Sequence, residues 1–389
     1  MLFQPPMLDD EDHRVIAEIE ELRTQLRHWL SQPRRWKGQL RRNLKARAIR
    51  GSNSIEGYDV TLDDALALME DEEPLDADRR TSLEIIGYRN ALTYIQQLAE
   101  DAHFSFDESL IRSLHFMMLG HDLEKSPGRY RHNTIYVHDE ELDEIVYEAP
   151  RHDLVPDLMS ELVENLKDSH DCPTFVRGAL AHLNLVMIHP FRDGNGRMAR
   201  ALQTLVLARE RIISPEFSSI EEWLGKNTSA YYAVLADVGQ GAWHPENDTT
   251  PWIRFNLVAH HMQAQTVVRR VSEAGTMWGE LDELAGRFGL PERVGYALYD
   301  AMIGLRVRRS SYARQADLEQ ATASRDLRQL VSLGLLAAIG ETRGRMYTAS
   351  PELRAIRDKV AHGRSPVINP YTRDAESRTS TRKRVSTLG

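Results

Sequence analysis

The sequence predicts a mainly α-helical protein: a long helical block with one small β-hairpin, followed by a winged-helix unit. Three observations predict it. Apolar residues recur at steps of three and four through most of residues 11–268. Within that block only 134–137 and 145–147 have the short, β-branched and aromatic character of paired strands. Beyond about residue 275 the order becomes helix, turn, helix, strand, turn, strand.

The elements follow in order. Val15, Ile19, Leu22, Leu26 and Trp29 trace an amphipathic helix over 11–30, ended by Pro33. Residues 34–50 hold eight Lys/Arg and no acid, either a solvated helix face or a surface for an acidic partner or domain. Gly51-Ser52-Asn53-Ser54-Ile55-Glu56-Gly57 reads as a short helix with Ser52 and Glu56 on one face. Thr61 is placed to cap a helix through Met69, which ends in the acidic loop 70–76.

Helices are expected over 82–98, 107–119, 156–166, 175–188, 199–209, 219–238 and 251–268, the last opened by Pro251. Further helices at 279–288 and 291–303 lead into one at 321–330 with a hydroxyl N-cap, then the strands 335–339 and 346–348. The domain plan is therefore an N-terminal helical region over 1–110, a helical core over 111–270 and a winged helix over 275–350. Residues 363–389 lack apolar periodicity and are expected to be disordered.

Composition bounds the function. The 49 basic against 58 acidic residues leave a net charge of -9, which argues against the whole chain being a general nucleic-acid binder but leaves local basic patches open. Cys172 is the only cysteine, so no intrachain disulfide forms and a reducing compartment fits. The first residues lack a signal-peptide pattern and no apolar run is long enough to span a bilayer. A soluble, cytoplasmic protein without membrane contact is expected.

The chemistry concentrates in His189-Pro190-Phe191-Arg192-Asp193-Gly194-Asn195-Gly196-Arg197-Met198-Ala199-Arg200. Gly194-Asn195-Gly196 leading into a helix converges backbone N–H groups on the positive helix end, a nest for phosphate. By itself the tripeptide is more often a turn. Arg197 and Arg200, three apart, share a face and suit phosphate oxygens, or are solvated. Asp193 would put a carboxylate beside the phosphates, where Mg²⁺ bridges protein and nucleotide, or would cap the helix. His189, with an ordinary pKa of about 6.5, is a candidate general base. Phe191 is expected to point inward. Together the parts specify transfer of a phosphate-containing group to a hydroxyl.

These twelve residues resemble the Fic-family motif H-x-F-x-[D/E]-G-N-G-R-x-x-R at every defined position. The resemblance implies a Fic-type helical domain and transfer of AMP from ATP to a Ser, Thr or Tyr hydroxyl of a target protein, or of the enzyme itself. It implies His189 as the base and Asp193 as the Mg²⁺ ligand. Gly194, Asn195, Gly196, Arg197 and Arg200 would hold the phosphates, with Tyr231 bordering the nucleotide.

Gly128-Arg129-Tyr130-Arg131 and the following strand resemble the family's flap, on which a target segment would dock along Thr134, Ile135, Tyr136 and Val137. Ser52-x-x-x-Glu56-Gly57 is similar to its inhibitory motif, in which Glu56 would pair with Arg200 and spoil the ATP γ-phosphate site. In some relatives that glutamate instead helps remove AMP from the target.

Alternatives stay open. No Walker A, kinase or zinc-ligand pattern occurs, and Gly196 stands where the phosphorylating branch of the superfamily carries lysine. Transfer of another phosphate-containing group is one alternative. DNA-binding regulation is the other: residues 306–345 carry eight basic against four acidic residues, and Ser324, Arg325 and Arg328 are spaced to reach a groove. A protein contact through the same unit, and a homodimer, are further expectations.

Overall fold

A computed structural model describes residues 1–139, 144–168, 172–341 and 344–372. Its first half runs α1 (Asp10–Ser31), α2 (Lys37–Ser54), α3 (Leu62–Met69), α4 (Arg79–Glu100), α5 (Glu108–Leu119), the hairpin β1 (Tyr136–Asp139) and β2 (Glu144–Glu148), then α6 (Val155–Asp168), α7 (Thr174–Ile188) and α8 (Asn195–Ala208). The second half runs α9 (Pro215–Ser218), α10 (Glu221–Lys226), α11 (Thr228–Gly239), α12 (Thr250–Arg287), α13 (Gly295–Met302), β3 (Val307–Arg308), α14 (Arg309–Gln315), α15 (Gln320–Ser332), β4 (Leu336–Ile339), β5 (Met346–Ala349) and α16 (Pro351–His362). The mainly α class is as expected, and the C-terminal order α13-β3-α14-α15-β4-β5 with sheet order β3-β5-β4 is that of a winged helix.

Polar caps start several helices. Asp9 and Asp12 form a reciprocal capping box on α1, and Thr61, Asp78, Asp107 and Ser350 accept from the first turns of α3, α4, α5 and α16. Such caps stabilise by about 1 kcal/mol each. The centre is α8, of which only Gly196 is not buried. Met198, Leu202, Leu205 and Val206 have no exposed surface and join α3 to α7 in one core. Burial of side chains of this size stabilises by about 1.5–3 kcal/mol each. A second core joins α1 and α2 to α12 through α16, and a third places Trp252 between α7 and α11.

The structure corrects several expectations. The segments 251–268 and 279–288 are one helix, α12, of 38 residues, which runs through the boundary placed at 270–275. Gly275 is tolerated inside it because nothing packs on that position. The Ser52–Glu56 motif is no separate short helix but the end of α2, with Gly57 at φ +79° after it. The helix expected over 219–238 is broken at Asn227. Strand β1 starts at Tyr136, so Thr134 and Ile135 precede it. Helix α15 starts at Gln320 behind Glu319, with no hydroxyl cap.

The basic run of α2 faces other elements: Arg35 meets Asp282 and Glu292, Arg41 meets Glu216, and Arg42 meets Glu70 and Asp300. The tail expected to be disordered from 363 is ordered in its first part. Tyr371 donates to Asp12 and Ile368 O accepts from Gln265. The expectation for 373–389 lies outside the described residues, as do the tips of both hairpins at 140–143 and 342–343.

Candidate active site

Helix α7 ends on His189, whose backbone is left-handed at φ 51°, ψ 57°. A residue with a Cβ is held there at a cost of roughly 1–2 kcal/mol. The reversal drops Phe191 into the core, where it stacks on His115 at 3.7 Å. Asn195 closes the loop with both halves of its amide: Nδ2 donates to Phe191 O and Oδ1 accepts from Phe191 N, each at 2.9 Å. Asn195 therefore offers a phosphate only its backbone N–H.

Gly194, at φ 76°, caps α8 without a side-chain bond, and a Cβ there would meet Leu119 at 2.8 Å. The first N–H groups of a helix have no intrahelical acceptor, and the helix dipole adds positive potential. Those of Asn195, Gly196 and Arg197 form the nest.

His189 Nδ1 lies 3.1 Å from Val186 O. A carbonyl only accepts, so Nδ1 carries the proton and Nε2 keeps its lone pair. Burial pushes the His189 pKa below its ordinary 6.5, so the ring is neutral at pH 7.

Two clamps flank the nest. Arg197 donates to Glu84 at 2.5 Å, with both side chains 1% exposed. Glu84 also meets Lys125 at 2.9 Å, and Lys125 reaches Asp193 at 2.7 Å. Burial works against the charge of Glu84 and of Asp193, but these cations outweigh it and both pKa values fall. On the other flank Arg200 Nε donates to Ser52 Oγ at 2.7 Å, and Nη2 donates to Ser52 O at 2.9 Å and to Glu56 Oε1 at 2.6 Å. Glu56 Oε1 lies 2.4 Å from where a Cβ on Gly196 would stand, so this carboxylate sits directly on the nest. Arg200 Nη1 is buried without a partner among the described residues.

All the predicted residues of 189–200 thus converge, together with Ser52 and Glu56. Tyr231 does not open onto the nest: it is 1% exposed and its hydroxyl is bound to His182 Nε2 at 2.9 Å. Its neighbour Tyr232 is the one at the surface, donating to Ile55 O.

Sequence reading missed Glu84, Lys125, His115 and Glu221. Gly128 N–H donates to His115 Nδ1, so its Nε2 donates to Asp193 O; burial lowers its pKa to about 4. Glu221, under Arg200, accepts from Tyr88 and is pushed by burial up to about 7. The role of Arg131 also escaped: it donates to His189 O, Asn133 O and Pro150 O, tying the hairpin base to the active loop. Beyond that base, Tyr136 and Val137 lie in β1, whose second edge carries no strand among the described residues.

For Mg²⁺, no group of three or more His, Cys, Asp or Glu among the described residues forms a metal cage. Asp193, ionised beside the nest, fits an ion held mostly by substrate phosphates and water. When bound there, the ion would neutralise phosphate charge.

Residues 105–207 match the Fic/DOC family model. The protein adenylyltransferase fic-1 of Caenorhabditis briggsae is 26% identical over 266 residues, covering 67% of this chain and 47% of that protein. The protein adenylyltransferase Fic of Nematostella vectensis is 29% identical over 207 residues, covering 52% and 44%. The chain thus spans about half the length of these curated relatives. A crystal structure of a Fic family protein from Desulfovibrio desulfuricans G20 has the same fold, with a TM-score of 0.58 at 23% identity over 90% of this chain and 99% of that one. Fic-1 from C. elegans aligns with a TM-score of 0.53 at 23% identity, over 68% and 72%. The motif geometry, the match to the Fic/DOC family model over residues 105–207 and the fold shared with solved Fic family structures all fall on the same part of this chain.

Proposed function

We propose that the protein transfers AMP from ATP to a hydroxyl of a target protein and that Glu56 holds it inactive. One observation carries the reading: a carboxylate of the chain itself occupies the anion site, with Glu56 on Gly196 and Arg200. A site that binds its own carboxylate between a helix N-terminus and a buried guanidinium is built for an anion.

With Glu56 withdrawn, the N–H groups of 195–197 would receive the phosphates nearer the sugar and Arg200 the terminal one. Asp193 would hold Mg²⁺. The target hydroxyl oxygen attacks the α-phosphorus, the bond from that phosphorus to pyrophosphate breaks, and His189 Nε2 takes the proton. Neutral His189 and the ionised Asp193 support those roles at pH 7. The open edge of β1 supports docking of an extended target segment by strand addition.

The test is ATP labelled at the α-phosphate, with Mg²⁺ and wild type, Glu56→Gly or His189→Ala. Label on protein is expected to rise in the first variant and vanish in the second. Label transferred only from γ-labelled ATP would overturn the reading in favour of phosphorylation.

A further inference from the structure

The C-terminal unit carries a face that the transfer site does not use. A cleft of about 570 Å³ is lined by Arg308, Arg309, Arg328 and Arg345 on one side and by Glu72 and Glu73 on the other. Arg309, Arg325, Arg328 and Arg345 are exposed and pair with no carboxylate among the described residues. Together they leave a local excess of positive charge on this unit in a chain of net charge -9.

On α15 the accessible side presents Ala321, Ser324, Arg325 and Arg328, spaced three and four apart on one face. Small side chains at 321 and 324 let the helix backbone approach a groove. No large apolar side chain of α15 is exposed, so a conventional protein hot spot is missing, whereas DNA interfaces are polar and positive. Arg309 on α14 and Arg345 at the base of the hairpin lie at the cleft as phosphate contacts would.

We propose that this face binds duplex DNA, with α15 in the major groove, and that the acidic loop 70–73 competes with the DNA and reports its binding to the transfer site. Glu70 accepts from Arg42 at 2.7 Å and Ser311 at 2.9 Å, and meets Arg314 at 2.9 Å. Glu72 lies 3.6 Å from Arg308 and 3.4 Å from Arg314. Glu72 and Glu73 line one rim of the basic face, and a phosphate strand entering the cleft must displace them and so pull on Glu70, two residues before Glu72.

The same loop grips α2. Arg42 is held by Glu70 and by Asp300 of α13, and ten residues further along α2, about 15 Å at 1.5 Å per residue, Ser52 holds Arg200. Displacing the loop takes one of the two carboxylate anchors from Arg42, loosens the seat of α2 and so weakens the Ser52–Glu56 clamp. Linkage requires the reverse as well: weakening the clamp tightens DNA binding. This coupling rests on the transfer reading above; the binding of DNA does not.

The experiment uses the whole protein and a fluorescein-labelled mixed-sequence duplex of about 20 base pairs, two helical turns. Anisotropy is expected to show binding by wild type that falls on the order of 100-fold between 50 and 200 mM salt, as four phosphate contacts require. The double variant Arg325→Glu, Arg328→Glu should abolish it, and Glu72→Gln, Glu73→Gln should tighten it. Thermal melts check that each variant is folded. No binding by wild type or by the acidic-loop variant at 50 mM salt overturns the proposal, as does binding that survives the arginine reversals.

In parallel, the duplex should raise wild-type labelling from α-labelled ATP by roughly 5-fold or more and leave the arginine variant unmoved. Binding without that rise overturns the coupling. The Glu56→Gly control separates the two readings: if it is silent the transfer reading has failed, while the anisotropy still decides DNA binding.

Discussion

The two flanks of the phosphate nest hold their arginines in different ways. Arg197 and Arg200 lie three residues apart on α8 and are equally buried. Arg197 faces Glu84, a fully buried carboxylate in the second turn of α4 that also holds Lys125. Arg200 faces Glu56, a quarter exposed and just past the last residue of α2. Glu84 cannot leave without unpacking the core; Glu56 leaves if the end of a helix frays. One clamp is architecture; the other, on the function proposed above, is a latch.

The largest effect that would test this contrast is Glu84→Ala. Removing one partner of a buried ion pair costs about 3–5 kcal/mol, here expected as a lower midpoint in chemical denaturation. A variant as stable as wild type would make the two flanks equivalent. Glu56→Gly should barely move that midpoint yet raise transfer roughly 5- to 150-fold, read with α-labelled ATP.

In the same unlatched variant, the rate should climb with pH through a limb centred below 6.5 and be flat at neutral pH. Burial lowers the His189 pKa, and the base acts only when neutral. A midpoint at or above 6.5 would remove His189 as the base.

Gly51→Ala probes the latch without touching charge. A Cβ there would meet Glu221 O at 2.4 Å, so α2 must back away from α10. A loss of about 1–3 kcal/mol in stability is expected, with a partial rise in transfer. Ser52→Ala should give the smallest rise, because the Ser52 carbonyl still holds Arg200 Nη2. A rise larger than that of Glu56→Gly would move the latch from the carboxylate to the hydroxyl.

What was legible beforehand follows from how the chemistry is distributed along the chain. His189 to Arg200 could be read because base, nest and arginines are contiguous and one turn brings them together. Glu84 and Lys125 gave no local signal: each looks like an ordinary surface charge until α4 and the turn after α5 pack against α8. Tyr231 was expected at the nucleotide, but that its ring lies inside while Tyr232 lies at the surface depends on the placement of α11 against His182. The basic run of α2 read first as a solvated face and second as a domain contact, and only the positions of Glu70, Asp282 and Asp300 decide for the second. The join between 268 and 279 was misread because Ser272 and Gly275 suggest a break, yet the register continues through Val271, Ala274, Met277 and Trp278 into the second core.

That continuity bears on inheritance. At 1.5 Å per residue, α12 is a rod of about 57 Å shared by the helical block and the C-terminal unit. A recombination event at 270–275 would split the rod, leave unpaired backbone groups on both stumps and bare Met277, Trp278 and Leu281. The C-terminal unit is therefore a poor candidate for exchange between proteins as a cassette. Changes in what it recognises are expected to accumulate by substitution on α15 and the hairpin, with the rod left intact.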